Sequence, residues 1–168
     1  GQVTQVDSVA NGRVRAGGAI FVGRTNSPEF GLGAHTYNKV YGTTLNAFDS
    51  SRTAGGSSGG AGVALALRML PVADGSDMMG SLRTPAAFNN VFGFRPSPGC
   101  VPHGPGEEVF FQQFSVTGPM ARNIPDLAML LAVQAGFDPR LALTRRQDDP
   151  RLFTQPLETD LRGKRIGW

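Results

Sequence analysis

The chain has 168 residues, 40% of them hydrophobic, and a formal net charge of +3. This length and hydrophobic content are enough to bury one core and exclude a disordered chain. The positive charge comes from arginines scattered without a basic stripe, and no run of about 18 apolar residues is present, so neither nucleic acid nor a membrane is expected as a partner. The single cysteine, Cys100, excludes an internal disulfide framework and suits a reducing compartment, so a cytoplasmic location is expected.

Charged residues make up only 17% of the chain, below the usual figure of about 25%, which predicts that other protein covers part of the surface. The chain begins without Met, and residues 161–168 have the pattern of a turn entering a new strand. We therefore interpret residues 1–168 as an internal part of a single larger domain. Association with further copies of the chain stays open.

The first strong hydrophobic pattern is AIFVG at residues 19–23, which predicts a short buried strand. Residues 31–54 carry Gly, Thr, Asn and Ser at turn density and predict a loop. His35 lies in this loop without a carboxylate or Cys at ligand spacing, so we interpret it as a surface or hydrogen-bonded side chain rather than a metal ligand.

A glycine-rich turn follows, with Ser57 and Ser58 supplying its only hydroxyls. The apolar residues after it predict a helix over 60–69, and the amides at the start of a buried helix favour negative charge. Residues 70–73 predict a strand that feeds a second turn, where Ser81 stands beside consecutive backbone amides. Two hydroxyls and a cradle of amides suit acyl transfer.

Helix and strand in succession indicate an α/β arrangement. Residues 85–88 fit a further short helix, with Thr84 as a candidate cap. Adjacent carboxylates at Glu107 and Glu108 point in different directions, so this pair is given no role.

The clearest helical pattern covers residues 123–135, where Asn123 is the candidate N-cap and Gly136 the candidate stop. Its apolar positions predict a buried helix. We interpret the methionine within this helix, and the methionine just before it, as packing residues rather than cofactor ligands. The polar residues 137–160 predict a surface connector. The positions predicted to share one face of the helix are Leu127, Leu130, Leu131 and Gln134, and the two methionines are Met120 and Met129.

Two motifs carry a resemblance to a known family. GGSSGG at residues 55–60 and D-x-x-G-S-x-R-x-P-A at residues 77–86, at this separation, resemble the amidase signature family of serine hydrolases. Segments 23–30, 89–97 and 118–122 resemble other parts of that family in the same order. The resemblance implies an α/β fold with a mixed β-sheet core covered by helices on both faces, of which this chain is a part.

The resemblance also implies roles for the serine turns. Ser81 is the expected nucleophile, Ser57 the bridging serine on a cis peptide bond, and a lysine the base. The expected oxyanion hole is built from backbone amides, and three side chains are expected to support the site. The amides belong to Met78, Met79, Gly80 and Ser81, and the supports are Ser58, Asp77 and Arg83. No metal or cofactor is implied.

This sequence departs from the family pattern in two places. The family usually has Gly where Met79 stands. The side chain of Met79 is therefore expected to narrow the substrate pocket or to restrict the backbone of the second serine turn. The family's lysine lies further ahead of the first serine motif than the 56 residues that precede Ser57. Neither Lys39 nor Lys164 fits its position, so the base is expected outside this chain.

The expected function is therefore hydrolysis of a small-molecule carboxylic amide, with this chain inactive until the remainder of the polypeptide packs against it. A Ser-His-Asp triad using His35 or His103 is not supported by any recognisable pattern. Two alternatives stay open. One is an amidotransferase A-type subunit that supplies ammonia for tRNA-dependent amidation, and the other is a non-catalytic amidase-like binding or scaffold protein.

Overall fold

The structure is a computed structural model that describes residues 5–104, 114–144 and 149–167. Glu107 and Glu108 therefore lie outside the described residues. The helices are α1 (Val9–Ala16), α2 (Gly59–Ala66), α3 (Arg83–Phe88) and α4 (Ile124–Gln134), with 3₁₀ turns at Glu29–Gly31 and Pro150–Thr154. The strands are β1 (Tyr37–Asn38), β2 (Gly42–Thr43), β3 (Val72–Asp77), β4 (Phe92–Gly93) and β5 (Val116–Ala121).

A three-stranded sheet in the order β3-β5-β4 forms the centre of the described structure. β3 pairs with β5 along its whole length, from Val72 opposite Ala121 to Asp77 opposite Val116. β4 pairs with the other edge of β5, and β1 and β2 form a separate hairpin. The predicted α/β fold of a sheet covered by helices is confirmed, and the strand pairs within the described residues are all antiparallel.

The core over the sheet is built around Leu82, which is fully buried between α2, α3 and β5. The side chain fits there because the sheet presents glycine on two paired positions. A Cβ atom on Gly75 or on Gly118 would lie 2.8 Å from a methyl carbon of Leu82. The residue after Ser81 is thereby anchored directly in the core, together with Ala61, Leu65, Ala86 and Met120.

Helix α4 packs against α1 through a second cluster that includes Ala10, Leu131 and Ala135. The predicted cap is confirmed, since the side chain of Asn123 accepts a hydrogen bond from the amide of Asp126. All four predicted face positions are buried. Met120 is fully buried as predicted, whereas Met129 is 55% exposed, so its interpretation as a packing residue is wrong for this structure.

Three local predictions are wrong. Residues 19–23 form no strand, and Ile20 is 87% exposed, because an apolar run becomes a strand only where a neighbouring strand accepts its backbone hydrogen bonds. Residues 162–163 form the predicted turn, but no strand follows it among residues 164–167. Thr84 lies inside α3 rather than capping it, and Leu82 occupies the cap position without a side-chain bond.

Many large apolar side chains are exposed on the described part of the chain, including Phe30 at 91%, Val40 at 79% and Tyr41 at 81%. Monomeric proteins rarely leave so much apolar surface in water.

Among the described residues, no helix is both long and apolar enough to cross a membrane.

Candidate active site

The first serine turn, residues 53–60, is held from below by Thr36, which is fully buried. The Thr36 hydroxyl donates to the carbonyl of Gly55 at 2.8 Å and accepts from the amide of Gly59 at 3.0 Å. The peptide bond between Gly56 and Ser57 is cis, which confirms the prediction made from the family resemblance. The turn then passes directly into α2.

The two serine turns are joined by backbone hydrogen bonding. The amide of Ser58 donates to the carbonyl of Ser81 at 3.2 Å. The Ser58 hydroxyl also bonds the backbone of Ser76 in β3, at 3.3 Å from its nitrogen and 3.4 Å from its oxygen. Ser57 and Ser58 are both buried, and Ser81 is half-buried. The predicted nucleophile and the predicted bridging serine are therefore brought into neighbouring turns.

The second turn is organised around Asp77, whose carboxylate is completely buried at the end of β3. One carboxylate oxygen accepts from the amide of Gly80 at 2.8 Å, and the other accepts from the amide of Leu82 at 3.1 Å. Arg83 donates to both oxygens through Nε and Nη2, at 3.0 and 3.1 Å. These bonds close the chain around Ser81.

The charge of Asp77 follows from these partners. Burial by itself raises the pKa of the carboxyl, but the hydrogen bonds from Arg83 and from the amides of Gly80 and Leu82 outweigh burial and hold the pKa well below its usual range. Asp77 is therefore a permanent anion at neutral pH, which makes it a support of the turn and unsuited to carry a proton.

Arg95 is a second arginine on this turn. Its Nη1 atom lies 3.0 Å from the carboxylate of Asp77, contacts the backbone carbonyl of the same residue and lies 3.4 Å from the carbonyl oxygen of Met78. Its Nη2 atom donates to the carbonyl of Phe114 at 2.9 Å. The turn is therefore held by two guanidinium groups, of which only that of Arg83 was expected.

Asn89 ties the loop that precedes the first turn to the helix that follows the second. Its side-chain amide donates to the carbonyls of Ala54 and Pro85, both at 2.9 Å, and its oxygen accepts from the amide of Ala47 at 3.0 Å. The side chain is completely buried. One buried side chain thus fixes the loop before the first turn to α3.

The predicted oxyanion amides differ in their bonding. The amide of Gly80 donates to Asp77. For the amides of Met78, Met79 and Ser81, the described residues offer no hydrogen-bond acceptor. The side chain of Met79 is 91% exposed and that of Met78 is 49% exposed, so apolar atoms border this turn.

Nothing in the described residues supplies a base to either serine. The hydroxyls of Ser57 and Ser81 share no hydrogen bond there, so the proton relay between them stays a prediction. His35 is exposed, as predicted, and its Nδ1 atom lies 2.9 Å from the hydroxyl of Thr53. No group of three His, Cys, Asp or Glu side chains is placed to hold a metal within the described parts of the chain.

A depression of about 430 Å³ lies on the surface near the first turn, but its lining contains none of the predicted site residues. Reasoning from the sequence missed Thr36, Asn89 and Arg95 as supports of the turns. Asn89 and Arg95 lie in the 89–97 segment that carries the family resemblance, so that segment was the available signal. Thr36 lies in a loop with no distinguishing pattern.

Comparison with known proteins assigns this chain to one protein family. The family model described as Amidase matches residues 1–168. The A-type subunit of the glutamyl-tRNA(Gln) amidotransferase of Thermosynechococcus vestitus is 41% identical over 165 residues, which cover 98% of this chain and 34% of that protein. This chain therefore spans about a third of the length of the curated relatives it matches.

Solved structures agree with this assignment. A bacterial aryl acylamidase of the amidase signature enzymes superposes with a TM-score of 0.80 at 37% identity, over 84% of this chain and 29% of that one. The 6-aminohexanoate cyclic dimer hydrolase superposes with a TM-score of 0.78 at 36% identity, over 82% of this chain and 29% of that one.

Proposed function

Because this chain belongs to the amidase signature family, we propose that it forms the serine-bearing part of an amide hydrolase. The observation that carries the proposal is the hydrogen bond from the amide of Ser58 to the carbonyl of Ser81, which places the two serine turns side by side. A buried, fully bonded Asp77 closes the second turn around its serine. The similarity to an aryl acylamidase and to the 6-aminohexanoate cyclic dimer hydrolase supports a hydrolase of this class.

In the proposed mechanism, Ser81 Oγ bonds to the carbonyl carbon of a small-molecule amide, and its proton passes through the Ser57 hydroxyl to a lysine outside this chain. Backbone amides of the turn stabilise the oxyanion. When the C–N bond breaks, the proton returns through Ser57 to the leaving nitrogen, and ammonia or an amine departs. Water then attacks the Ser81 ester and releases the carboxylic acid.

The lysine must be neutral to accept a proton, although its usual pKa is about 10.4. Desolvation lowers the pKa of a lysine, and the described residues leave much apolar surface that further parts of the polypeptide can cover. We therefore propose that the site is complete, and active, only in the complete polypeptide.

A second candidate is the A-type subunit of an amidotransferase that supplies ammonia for tRNA-dependent amidation. The identity of 41% with the A-type subunit of a glutamyl-tRNA(Gln) amidotransferase favours it. Both candidates use the same acyl-enzyme chemistry and differ in the destination of the ammonia. A non-catalytic binding or scaffold role is the third candidate, and it predicts an inert Ser81.

The test uses the complete polypeptide, treated with a serine-directed fluorophosphonate and mapped by mass spectrometry. We expect labelling at Ser81 that is lost in Ser81→Ala and retained in Ser51→Ala, a surface control. Labelling at Ser57 or Ser58 with Ser81 untouched would overturn the assignment of the nucleophile.

A second measurement separates the candidate functions. Hydrolysis of simple aliphatic or aryl amides by the polypeptide alone supports the amide hydrolase. Activity confined to glutamine and dependent on tRNA and on an added partner protein supports the amidotransferase. Absence of both labelling and turnover supports the scaffold.

A further inference from the structure

Arg95 stands out among the arginines of the site because it contacts backbone carbonyls of the turn that leads to Ser81. The residue follows β4, and its side chain passes the start of β5 to reach the end of β3. There Nη1 contacts the carbonyl oxygens of Asp77 and Met78, while Nη2 is bonded to the carbonyl of Phe114 at 2.9 Å. The side chain is 24% exposed, so most of it is enclosed by protein.

These contacts fix the direction of two neighbouring amides. In a trans peptide the carbonyl of one residue and the N–H of the next lie in one plane and point in opposite directions. The cis bond of the described structure is at Gly56–Ser57, so the peptides after Asp77 and Met78 are trans. Because both carbonyls face the Arg95 guanidinium, the N–H groups of Met78 and Met79 face away from it.

Those two amides are among the donors expected in the oxyanion hole, and they have no acceptor among the described residues. The positive guanidinium at the carbonyl end of each peptide also polarises it, which strengthens the N–H as a donor on the other side. We infer that Arg95 is a positioning residue of the acyl-transfer site, which aims the Met78 and Met79 amides at the oxyanion formed during attack by Ser81. This inference rests on the proposed function.

The two other arginines bonded in this region make no contact with the backbone carbonyls of the second serine turn. Arg83 bonds the carboxylate of Asp77 and no carbonyl of the turn. Arg122 donates through Nη1 to the carbonyls of Leu65 and Leu70, which belong to the end of α2 and the loop after it. Arg122 is therefore a matched control: it is a guanidinium bonded to two carbonyls, remote from the serine turns in its bonding.

The test compares Arg95→Met, Arg95→Lys and Arg122→Met in the complete polypeptide. Four quantities are measured for each variant: the thermal midpoint, kcat for a hydrolysed amide, KM for the same amide, and the rate of Ser81 labelling by a fluorophosphonate. Labelling forms the Oγ–P bond and expels fluoride, and it uses the oxyanion donors without needing an amide substrate.

Removing one oxyanion donor lowers kcat by about 10² to 10³-fold in a well-studied protease. We expect Arg95→Met to lower kcat and the labelling rate by about 10²-fold with KM within about threefold, because the lost interaction is made only in the transition state. Arg95→Lys keeps the charge and one donor direction, and we expect it to recover about tenfold of that loss. Arg122→Met is expected to lower the thermal midpoint alone.

Losses of kcat and labelling rate in Arg95→Met no greater than those in Arg122→Met would overturn the inference, as would a rise in KM with kcat unchanged. If the wild-type protein hydrolyses no amide but is labelled at Ser81, the labelling rates still decide the role of Arg95. If the wild type neither hydrolyses amides nor becomes labelled, the proposed function fails and the role of Arg95 fails with it.

Discussion

Replacing the buried carboxylate Asp77 by Asn should destabilise the complete protein while preserving the volume of the side chain. One carboxylate oxygen accepts from Gly80, Arg83 and Arg95, and the other accepts from Leu82 and Arg83. All of these partners are donors. An Asn side chain must present its NH₂ group to one of the two sets, so neither orientation of the amide restores the network.

Breaking a buried ion pair by removing one partner costs about 3 to 5 kcal/mol. The side chain of Asp77 is completely buried, but that of Arg83 is 56% exposed and that of Arg95 is 24% exposed, so water takes over part of the lost bonding. We therefore expect the free energy of unfolding to fall by about 3 kcal/mol, the lower end of that range. Denaturant unfolding of the complete polypeptide measures the change.

The matched control is Asp49→Asn. Asp49 also accepts from an arginine Nε atom, that of Arg52 at 2.9 Å, and from a backbone amide, that of Ser51, but its side chain is 47% exposed. An exposed pair of this kind contributes about 0.2 to 1 kcal/mol. Equal losses of unfolding free energy in Asp77→Asn and Asp49→Asn would refute the reasoning from burial.

The same network predicts a pH dependence. Because the pKa of Asp77 is lower in the folded than in the unfolded protein, the unfolded state binds more protons in acid, and the stabilisation is lost as the pH falls. The difference in unfolding free energy between wild type and Asp77→Asn should be constant above about pH 5 and shrink below about pH 4. A difference that grows on acidification contradicts the assigned sign.

Three further changes probe the serine turns and their surroundings. Gly60→Ala places a Cβ 2.5 Å from the backbone nitrogen and oxygen of Asn26, so it should lower the unfolding free energy by about 3 kcal/mol or more. The control is Gly12→Ala, whose Cβ meets no atom within 4 Å and should stabilise α1 by about 0.5 to 1 kcal/mol. Equal effects of the two substitutions would contradict the packing argument. Thr36→Val removes the hydroxyl under the first turn and should cost about 1 to 3 kcal/mol, with a slower rate of Ser81 labelling; an unchanged rate would show that Thr36 does not shape the site. Met79→Gly should raise kcat/KM for a branched acyl amide relative to kcat/KM for acetamide. The unfolding free energy should stay within about 1 kcal/mol of the wild-type value, since the side chain is 91% exposed. An unchanged ratio of the two kcat/KM values would mean that Met79 does not border the site that binds the acyl group.

The sequence by itself was sufficient for features that depend on neighbouring residues. The helix at Ile124–Gln134, its Asn123 cap and its buried face were all predictable, because helical hydrogen bonds and caps join residues only three or four positions apart. The two serine turns were predictable from short motifs, and the cis peptide before Ser57 was implied by the family resemblance that those motifs carry.

Only the tertiary structure decided which distant residues support the site. Arg95 reaches Asp77 across 18 positions because the order β3-β5-β4 brings their segments together. Thr36 reaches Gly59 across 23 positions because the loop before β1 packs under the start of α2. The same limit explains the failed strand at residues 19–23. Apolar residues favour burial, but a strand forms only where a second strand meets its backbone donors and acceptors, and that partner is set by the packing of the whole domain.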